Sequence, residues 1–347
     1  MKIIFCAMFV FLAACSDETN LPGLISDGIK IPVVNPDRQN SIKIASFNIA
    51  ELGNSKRTKD FKAIAQMINE FDLIALQEVQ DKGGEAAVMS IHAALNAISG
   101  NRYALPLVIP NAGRGFPGIE GYAFIYRDPV QLDNRVFPVH GFRYDNNHDI
   151  YGRVPALAHF KAGTFDFIVA TVHLQWDNID RRQKEMIDIK KWLIEFANRD
   201  TGQERDLIIV GDFNRYGNLS NTVIEQHQAP FDTLIDLSEL GKTYRLISLE
   251  FLLTTDTQFA DSDERSTTTG VEKNLYDQIM ISAGSFREHK TTPSLFGEDV
   301  GVIAFDMEDP WKEKTNEEIK DAVSDHRPIW ARFQINLVDD DGPDFKE

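Results

Sequence analysis

Four polar residues stand where apolar runs end. Ile74-Ala75-Leu76-Gln77-Glu78 closes on a carboxylate, Ala170-Thr171-Val172-His173 closes on an imidazole, and Leu207-Ile208-Ile209-Val210-Gly211-Asp212-Phe213-Asn214 adds a carboxylate and an amide. Short apolar runs bounded by turn signals predict strands, and the ligand sites of sheet proteins gather at strand ends. Hard oxygen donors suit magnesium or calcium, and an imidazole suits proton transfer near neutral pH. Alone, any of these residues would read as a turn residue or a satisfied polar group. Together, Glu, His, Asp and Asn at three strand ends point to a metal-assisted acid–base site. No paired Cys/His pattern is present, which excludes a structural zinc site.

The elements that must position these groups are legible as alternating short apolar runs and longer amphipathic segments, the pattern of sheets covered by helices. Strands are predicted at Ile42–Phe47, Leu73–Leu76, Tyr122–Tyr126, Ala156–Phe160, Phe165–His173, Leu207–Val210, Leu275–Ile281 and Ile329–Phe333, and helices at Lys59–Glu70, Glu85–Ile98 and Ile179–Ala197. In the last helix Met186, Ile187, Ile189, Trp192, Leu193 and Phe196 recur at helical spacing and read as core.

The chain has 347 residues, 43% hydrophobic and 26% charged, which is globular and excludes disorder as a whole. Its formal charge of -17 repels polyanions on average, arguing against a stoichiometric DNA-binding module. An enzyme meeting a polyanion through one local patch remains compatible, because exposed charges are screened beyond about 8–10 Å at physiological salt. The N-terminus carries Lys2, the apolar run Ile3 to Leu12, and then Leu12-Ala13-Ala14-Cys15 before the polar Ser16-Asp17-Glu18. That run is far short of the about 20 residues a bilayer span needs and fits a signal-peptide core. Leu-Ala-Ala-Cys resembles the bacterial lipobox, which implies cleavage before Cys15, lipid attachment to its sulfur, and a place in the cell envelope. Cys6 and Cys15 are the two cysteines of the chain, so a mature domain holds no internal disulfide. The expected layout is a signal peptide over 1–14, a lipidated Cys and tether over 15–40, one catalytic domain over 41–336, and an acidic tail over 337–347.

In order, the chain then gives Ser46-Phe47-Asn48-Ile49, Gln77-Glu78-Val79, Glu120-Gly121-Tyr122, Arg153-Val154-Pro155, Thr171-Val172-His173, Gly211-Asp212-Phe213-Asn214, Tyr276-Asp277-Gln278-Ile279 and Ser324-Asp325-His326-Arg327-Pro328. This set resembles the motifs of the endonuclease/exonuclease/phosphatase superfamily, and within it the DNase I-like branch. Phe47-Asn48-Ile49 with Gly53, Arg153-Val154-Pro155 and Tyr276-Asp277-Gln278-Ile279 are the branch-specific details. The resemblance runs from Ser46 to Pro328 and implies a four-layer α/β sandwich, two packed mixed sheets flanked by helices.

It also implies roles. Glu78, with Asn48 and Asp325 or Asp212, would hold magnesium, with manganese or calcium as substitutes. Arg153 and Asn214 would stabilise charge on a phosphate. His173 would be paired with Glu120 and His326 with Asp277, each carboxylate fixing a tautomer and raising proton affinity. His326 is taken as base toward water and His173 as acid toward the leaving oxygen. Lys56, Arg57, Lys59 and Lys62, with Arg114, form the basic run expected to touch DNA phosphates.

The function implied is a monomeric metal-dependent phosphodiesterase acting on nucleic acid, DNA above all. The competing reading is a lipid phosphodiesterase, sphingomyelinase-like, or another phosphatase on the same scaffold, since a membrane tether would suit a lipid substrate. Ser324-Asp325-His326-Arg327-Pro328 lacks the Trp-Cys-Asp-Arg-type signature of inositol phosphatases, and Tyr276-Asp277-Gln278 stands where abasic-site enzymes show Leu-Asp-Tyr. A non-catalytic surface lipoprotein is disfavoured by the intact residue set. His92, His140, His148, His159 and His227 match no motif, and Asp256, Asp261, Asp263 and Glu264 lack EF-hand spacing and read as a solvated loop.

Overall fold

The computed structural model describes residues 40–110, 120–133, 140–141, 153–197, 206–214, 247–248, 269, 276–282, 285–289 and 299–338. The expected lipidation site Cys15, the tether before residue 40, Arg114, His148, His227, the acidic stretch 256–264 and residues 339–347 of the tail lie outside them.

The elements are β1 (Ser41–Leu52), α1 (Phe61–Ile68), β2 (Leu73–Gln80), α2 (Gly84–Ser99), β3 (Leu107–Ile109), β4 (Glu120–Tyr126), β5 (Gln131–Leu132), β6 (His140–Gly141), β7 (Ala156–Ala162), β8 (Phe165–His173), α3 (Ile179–Ala197), β9 (Leu207–Asp212), β10 (Ile247–Ser248), β11 (Asp277–Ile281), α4 (Phe286–His289), β12 (Val300–Val302), α5 (Asn316–Ala322) and β13 (Ile329–Gln334). One sheet runs β12-β13-β1-β2-β4-β3 and the other β10-β11-β9-β8-β7-β5, with β6 also on β7. Both are mixed: β1 and β2 are parallel with α1 between them in sequence, β8 and β9 are parallel with α3 between them, and the other pairs are antiparallel. Parallel neighbours need such crossovers, and the helices then cover the sheet.

Strand alternation sorts the side chains into layers. In β1, Ile42 and Ile44 join the core between the sheets, whereas Ala45, Phe47 and Ile49 join the core under the helices. Between the sheets they meet Phe160, Phe167, Val210 and Ile281; under the helices they meet Ile64, Ile68, Val88, Ile91 and Leu95 of α1 and α2. The alternate residues of the second sheet, Ile168, Ala170, Val172, Ile209 and Met280, are also buried, as are Met186, Ile189 and Trp192 of α3. Each fully buried Phe, Ile or Leu contributes about 1.5–3 kcal/mol. A chain without cysteine beyond residue 15 is therefore held by packing. The four-layer α/β sandwich expected from the sequence is the fold observed.

Three differences bear on the site. Gln77 and Glu78 do not follow the end of a strand. They lie inside β2, where the register with β1 and β4 shifts and Glu78 adopts φ +59°, so the carboxylate sits at a bulge, a device that re-aims a side chain. The helix expected from Lys59 starts at Phe61, because the Asp60 side chain accepts from the Lys62 and Ala63 N–H groups and caps it. Finally, α5 and β12 were not anticipated.

Candidate active site

Both sheets deliver their polar residues to the same edge. β8 and β9 run parallel and end together, while β11 starts there in the opposite sense, so His173 pairs in register with Asp212, and Asp212 with Asp277. Gly211 is required before Asp212: its φ is +140°, and a Cβ would stand 2.0 Å from the Val172 carbonyl oxygen. Across the sandwich, Gln77 Nε2 donates to Thr171 Oγ1 at 2.9 Å and joins the sheets beneath the site. Asn48, fully buried in β1, donates from Nδ2 to Glu78 Oε1 at 3.0 Å and to Asp212 Oδ2 at 3.1 Å. The Glu51 N–H donates to Glu78 Oε2 at 2.7 Å.

Two imidazoles face each other across Asp212. His326 Nδ1 lies 2.7 Å from Asp277 Oδ2. His173 Nδ1 lies 3.2 Å from Glu120 Oε2, an ion-pair separation without a well-aligned hydrogen bond. Their Nε2 atoms approach one oxygen, Asp212 Oδ2, at 3.5 Å for His173 and 3.7 Å for His326. Burial lowers the proton affinity of His326, but Asp277 and Asp212 outweigh it and hold its pKa well above the ordinary value. For His173, burial and Arg153 act downward, and Glu120 with Asp212 leaves a net rise. Burial pushes Glu120 up, yet His173 and Arg153 bring it below the usual carboxylate range; Arg153 Nε donates to its Oε1 at 2.5 Å.

The donor set fits a divalent cation. Among the described residues, Glu78, Glu120 and His173 present ligand atoms all within 4.8 Å of one another, and Asp212 adds a further carboxylate beside both rings. The expected set was Glu78 with Asn48 and Asp325 or Asp212, and Asn48 and Asp325 also have partners within the protein. Asn48 turns its amide nitrogen toward the two carboxylates, and its oxygen accepts from the Ala50 N–H at 3.1 Å. Asp325 is held by Lys320 Nζ at 2.6 Å, and its carboxyl is lowered by His326 and Lys320 against the opposing effect of burial.

A family model described as the Endonuclease/Exonuclease/phosphatase family matches residues 45–326, which contain every site residue named above. The chain belongs to that family. It is 27% identical over 311 residues to a deoxyribonuclease of Thioalkalivibrio sp. (strain K90mix), covering 86% of this chain and 73% of the relative. It is 25% identical over 305 residues to deoxyribonuclease-1 of Equus caballus, covering 83% of this chain and 91% of the relative. Its fold is similar to an endonuclease/exonuclease/phosphatase family protein from Bacteroides thetaiotaomicron, with a TM-score of 0.51, 16% identity, and 86% of this chain and 98% of that one covered.

Two members of the basic run, Arg57 and Lys59, have partners within the protein. Arg57 is bound by three carboxylates: Glu51 at 2.7 Å, Glu317 at 2.6 Å, and Asp321. Lys59 Nζ donates to the carbonyls of Lys320 at 2.7 Å and Val323 at 2.9 Å, and desolvation brings its pKa down to about 8. Lys56 and Lys62 are exposed. Asn214 Nδ2 donates to the Leu174 carbonyl at 2.7 Å, so one of its two amide hydrogens serves the loop after His173.

Several supporting contacts gave no sequence signal of their own. Ser324 Oγ donates to the Asn48 carbonyl at 2.6 Å and accepts from the His326 N–H at 3.0 Å, tying the last motif to the first. Lys59 and Lys320 act through tertiary contacts that no local pattern announces. His92 bonds Tyr103 and Asn96, and His159 is a buried core residue whose pKa burial lowers.

Proposed function

We propose that the chain is a divalent-metal-dependent, DNase I-like endonuclease. Family membership and two deoxyribonuclease relatives support the coarser statement, hydrolysis of phosphodiester bonds. The observation that carries the finer one is the pair of buried imidazoles, each with a carboxylate at Nδ1 and both turning Nε2 to Asp212 Oδ2.

Hydrolysis needs a proton acceptor for water, a donor for the leaving oxygen, and neutralisation of the non-bridging oxygens. In its neutral form His326 takes the proton from water as the new P–O bond forms, and Asp277 stabilises the imidazolium that results. His173 gives its proton to the leaving oxygen as the old P–O bond breaks, with Glu120 holding the ring. Asp212 and Asn48 orient the water between the rings, and the guanidinium of Arg153 faces the developing phosphate charge. A magnesium ion, or manganese or calcium in its place, would be held at the Glu78 carboxylate, leaving Glu120 and His173 to proton transfer, and would supply Lewis-acid neutralisation of the phosphate.

The deciding assay offers supercoiled plasmid, RNA and sphingomyelin to the purified chain with magnesium and with EDTA. Nicking of plasmid that EDTA abolishes is expected. Cleavage of sphingomyelin without cleavage of plasmid would move the function to a lipid phosphodiesterase.

We also infer, from Leu12-Ala13-Ala14-Cys15, export and lipid anchoring to the cell envelope, with the chain acting as a monomer. Cys15→Ser should release the protein from membranes, since stable anchoring here would depend on the attached chains. Pelleting of that variant with membranes after a high-salt wash would overturn the anchor.

A further inference from the structure

We propose that Trp176 is a stacking platform for an unpaired base of the substrate, next to the reacting phosphate, so that the enzyme favours single-stranded or locally opened nucleic acid; this rests on the nuclease reading above. The chain has four tryptophans. Trp192, Trp311 and Trp330 are 7–8% exposed, whereas Trp176 is 59% exposed. Among the described residues no other aromatic side chain is among the exposed large hydrophobics.

Its position follows from the backbone. Trp176 stands three residues after His173, within about 10 Å of it along even a fully extended chain. The segment leaves the site under the hold of the site itself: the Leu174 N–H donates to the Asp212 carbonyl at 2.8 Å, and the Leu174 carbonyl accepts from Asn214 at 2.7 Å. The next two residues are fixed by buried charges of α3. Glu185 accepts from the Gln175 N–H at 2.8 Å, and Arg182 Nη1 donates to the carbonyls of Gln175 at 2.9 Å and Trp176 at 3.2 Å. Arg182 and Glu185 are each 1% exposed. Asn178 then accepts from the Arg181 N–H at 2.9 Å and closes the loop onto the helix.

Burying a cation and an anion is costly unless they are hydrogen-bonded, and here both are turned on the backbone that carries Trp176. The result is an indole left in water on a backbone held by these hydrogen bonds. Base stacking is the chemistry this suits, because it needs a rigid planar surface and no charge. It also answers a difficulty of this chain: with a net charge of -17 and with Arg57 and Lys59 engaged internally, cationic contacts to phosphate are few.

The test titrates the full chain, in EDTA, with a single-stranded oligonucleotide while tryptophan emission is followed. Saturable quenching is expected, and it should vanish in Trp176→Phe because the remaining tryptophans are buried. In steady-state cleavage with magnesium, Trp176→Ala should raise KM for the oligonucleotide roughly tenfold with a much smaller change in kcat, and Trp176→Phe should recover most of the loss. Equal quenching in Trp176→Phe, or a KM within about twofold of wild type in Trp176→Ala, would overturn the proposal. So would an emission change with sphingomyelin–phosphatidylcholine vesicles and none with oligonucleotide. Failure of the wild-type chain to cleave any nucleic acid would refute the nuclease reading instead, so the two failures are distinguishable.

Discussion

His326 Nδ1 and Asp277 Oδ2 lie 2.7 Å apart, and the pair sits in the interior rather than at the surface. The carboxylate therefore acts on the imidazole with little screening, and together with Asp212 it raises the proton affinity against the opposing effect of burial. A raised folded pKa means that this group's stabilisation is fully present below the unfolded value near 6.5 and is lost as pH rises through the folded value. Asp277→Asn should bring the His326 titration down toward the ordinary histidine range, followed by NMR of the metal-free protein, and should flatten the decline of thermal stability above neutrality. An unchanged titration would show that Asp277 does not control the ring.

Replacing His173 or His326 by Ala should each lower kcat by at least ~10²-fold, the usual contribution of a positioned acid or base. If both act in one transition state, the double variant should be little worse than the poorer single one. Steady-state kinetics on proteins with matched unfolding temperatures decides the matter, and near wild-type turnover in either single variant would remove that residue from the chemistry.

Lys59 and Asp60 supply hydrogen bonds to the carbonyl end of α5: Lys59 to Lys320 and Val323, and the Asp60 N–H to Ala322 at 2.8 Å. The last carbonyls of a helix have no partner within it. Lys59→Met should therefore cost about 1–3 kcal/mol in urea unfolding, the range for stranding a buried polar group. Because His326 follows that helix end, kcat should fall as well. Arg57→Ala should destabilise less, since Glu317 and Asp321 are largely solvated. Full stability of Lys59→Met would refute the cap.

Lys56 is an exposed member of the basic run. Lys56→Glu should raise KM for plasmid and reduce the salt dependence, by up to about 0.9 in log–log slope if one phosphate contact is lost. A slope identical to wild type would take Lys56 out of the interface.

The fold was legible wherever hydrophobic periodicity decided it. β8 and α3 have the bounds that their apolar patterns predict, Phe165–His173 and Ile179–Ala197. α5 escaped because its Asn316-Glu317-Glu318-Ile319-Lys320-Asp321-Ala322 buries little beyond Ile319; the available signal was the capping box of Thr315 and Glu318. In the site, the pairing of His326 with Asp277 and the closeness of His173 to Glu120 were expected from ordered motifs rather than from spacing. The engagement of Arg57 with Glu317 and Asp321 could not be read locally, because those residues are about 260 positions away and meet it through the tertiary fold.

The same contacts set the order in which the site can be completed. A chain elongated only as far as Asp277 already has Glu78, Glu120, His173 and Asp212, but it has neither His326 nor Ser324, whose hydroxyl reaches the Asn48 carbonyl. β1 at that stage also lacks β13, its antiparallel neighbour from Ser41 to Ser46. The constellation of His173, Asp212 and His326 is thus completed only after nearly all of the chain has been made, when β13 docks against β1.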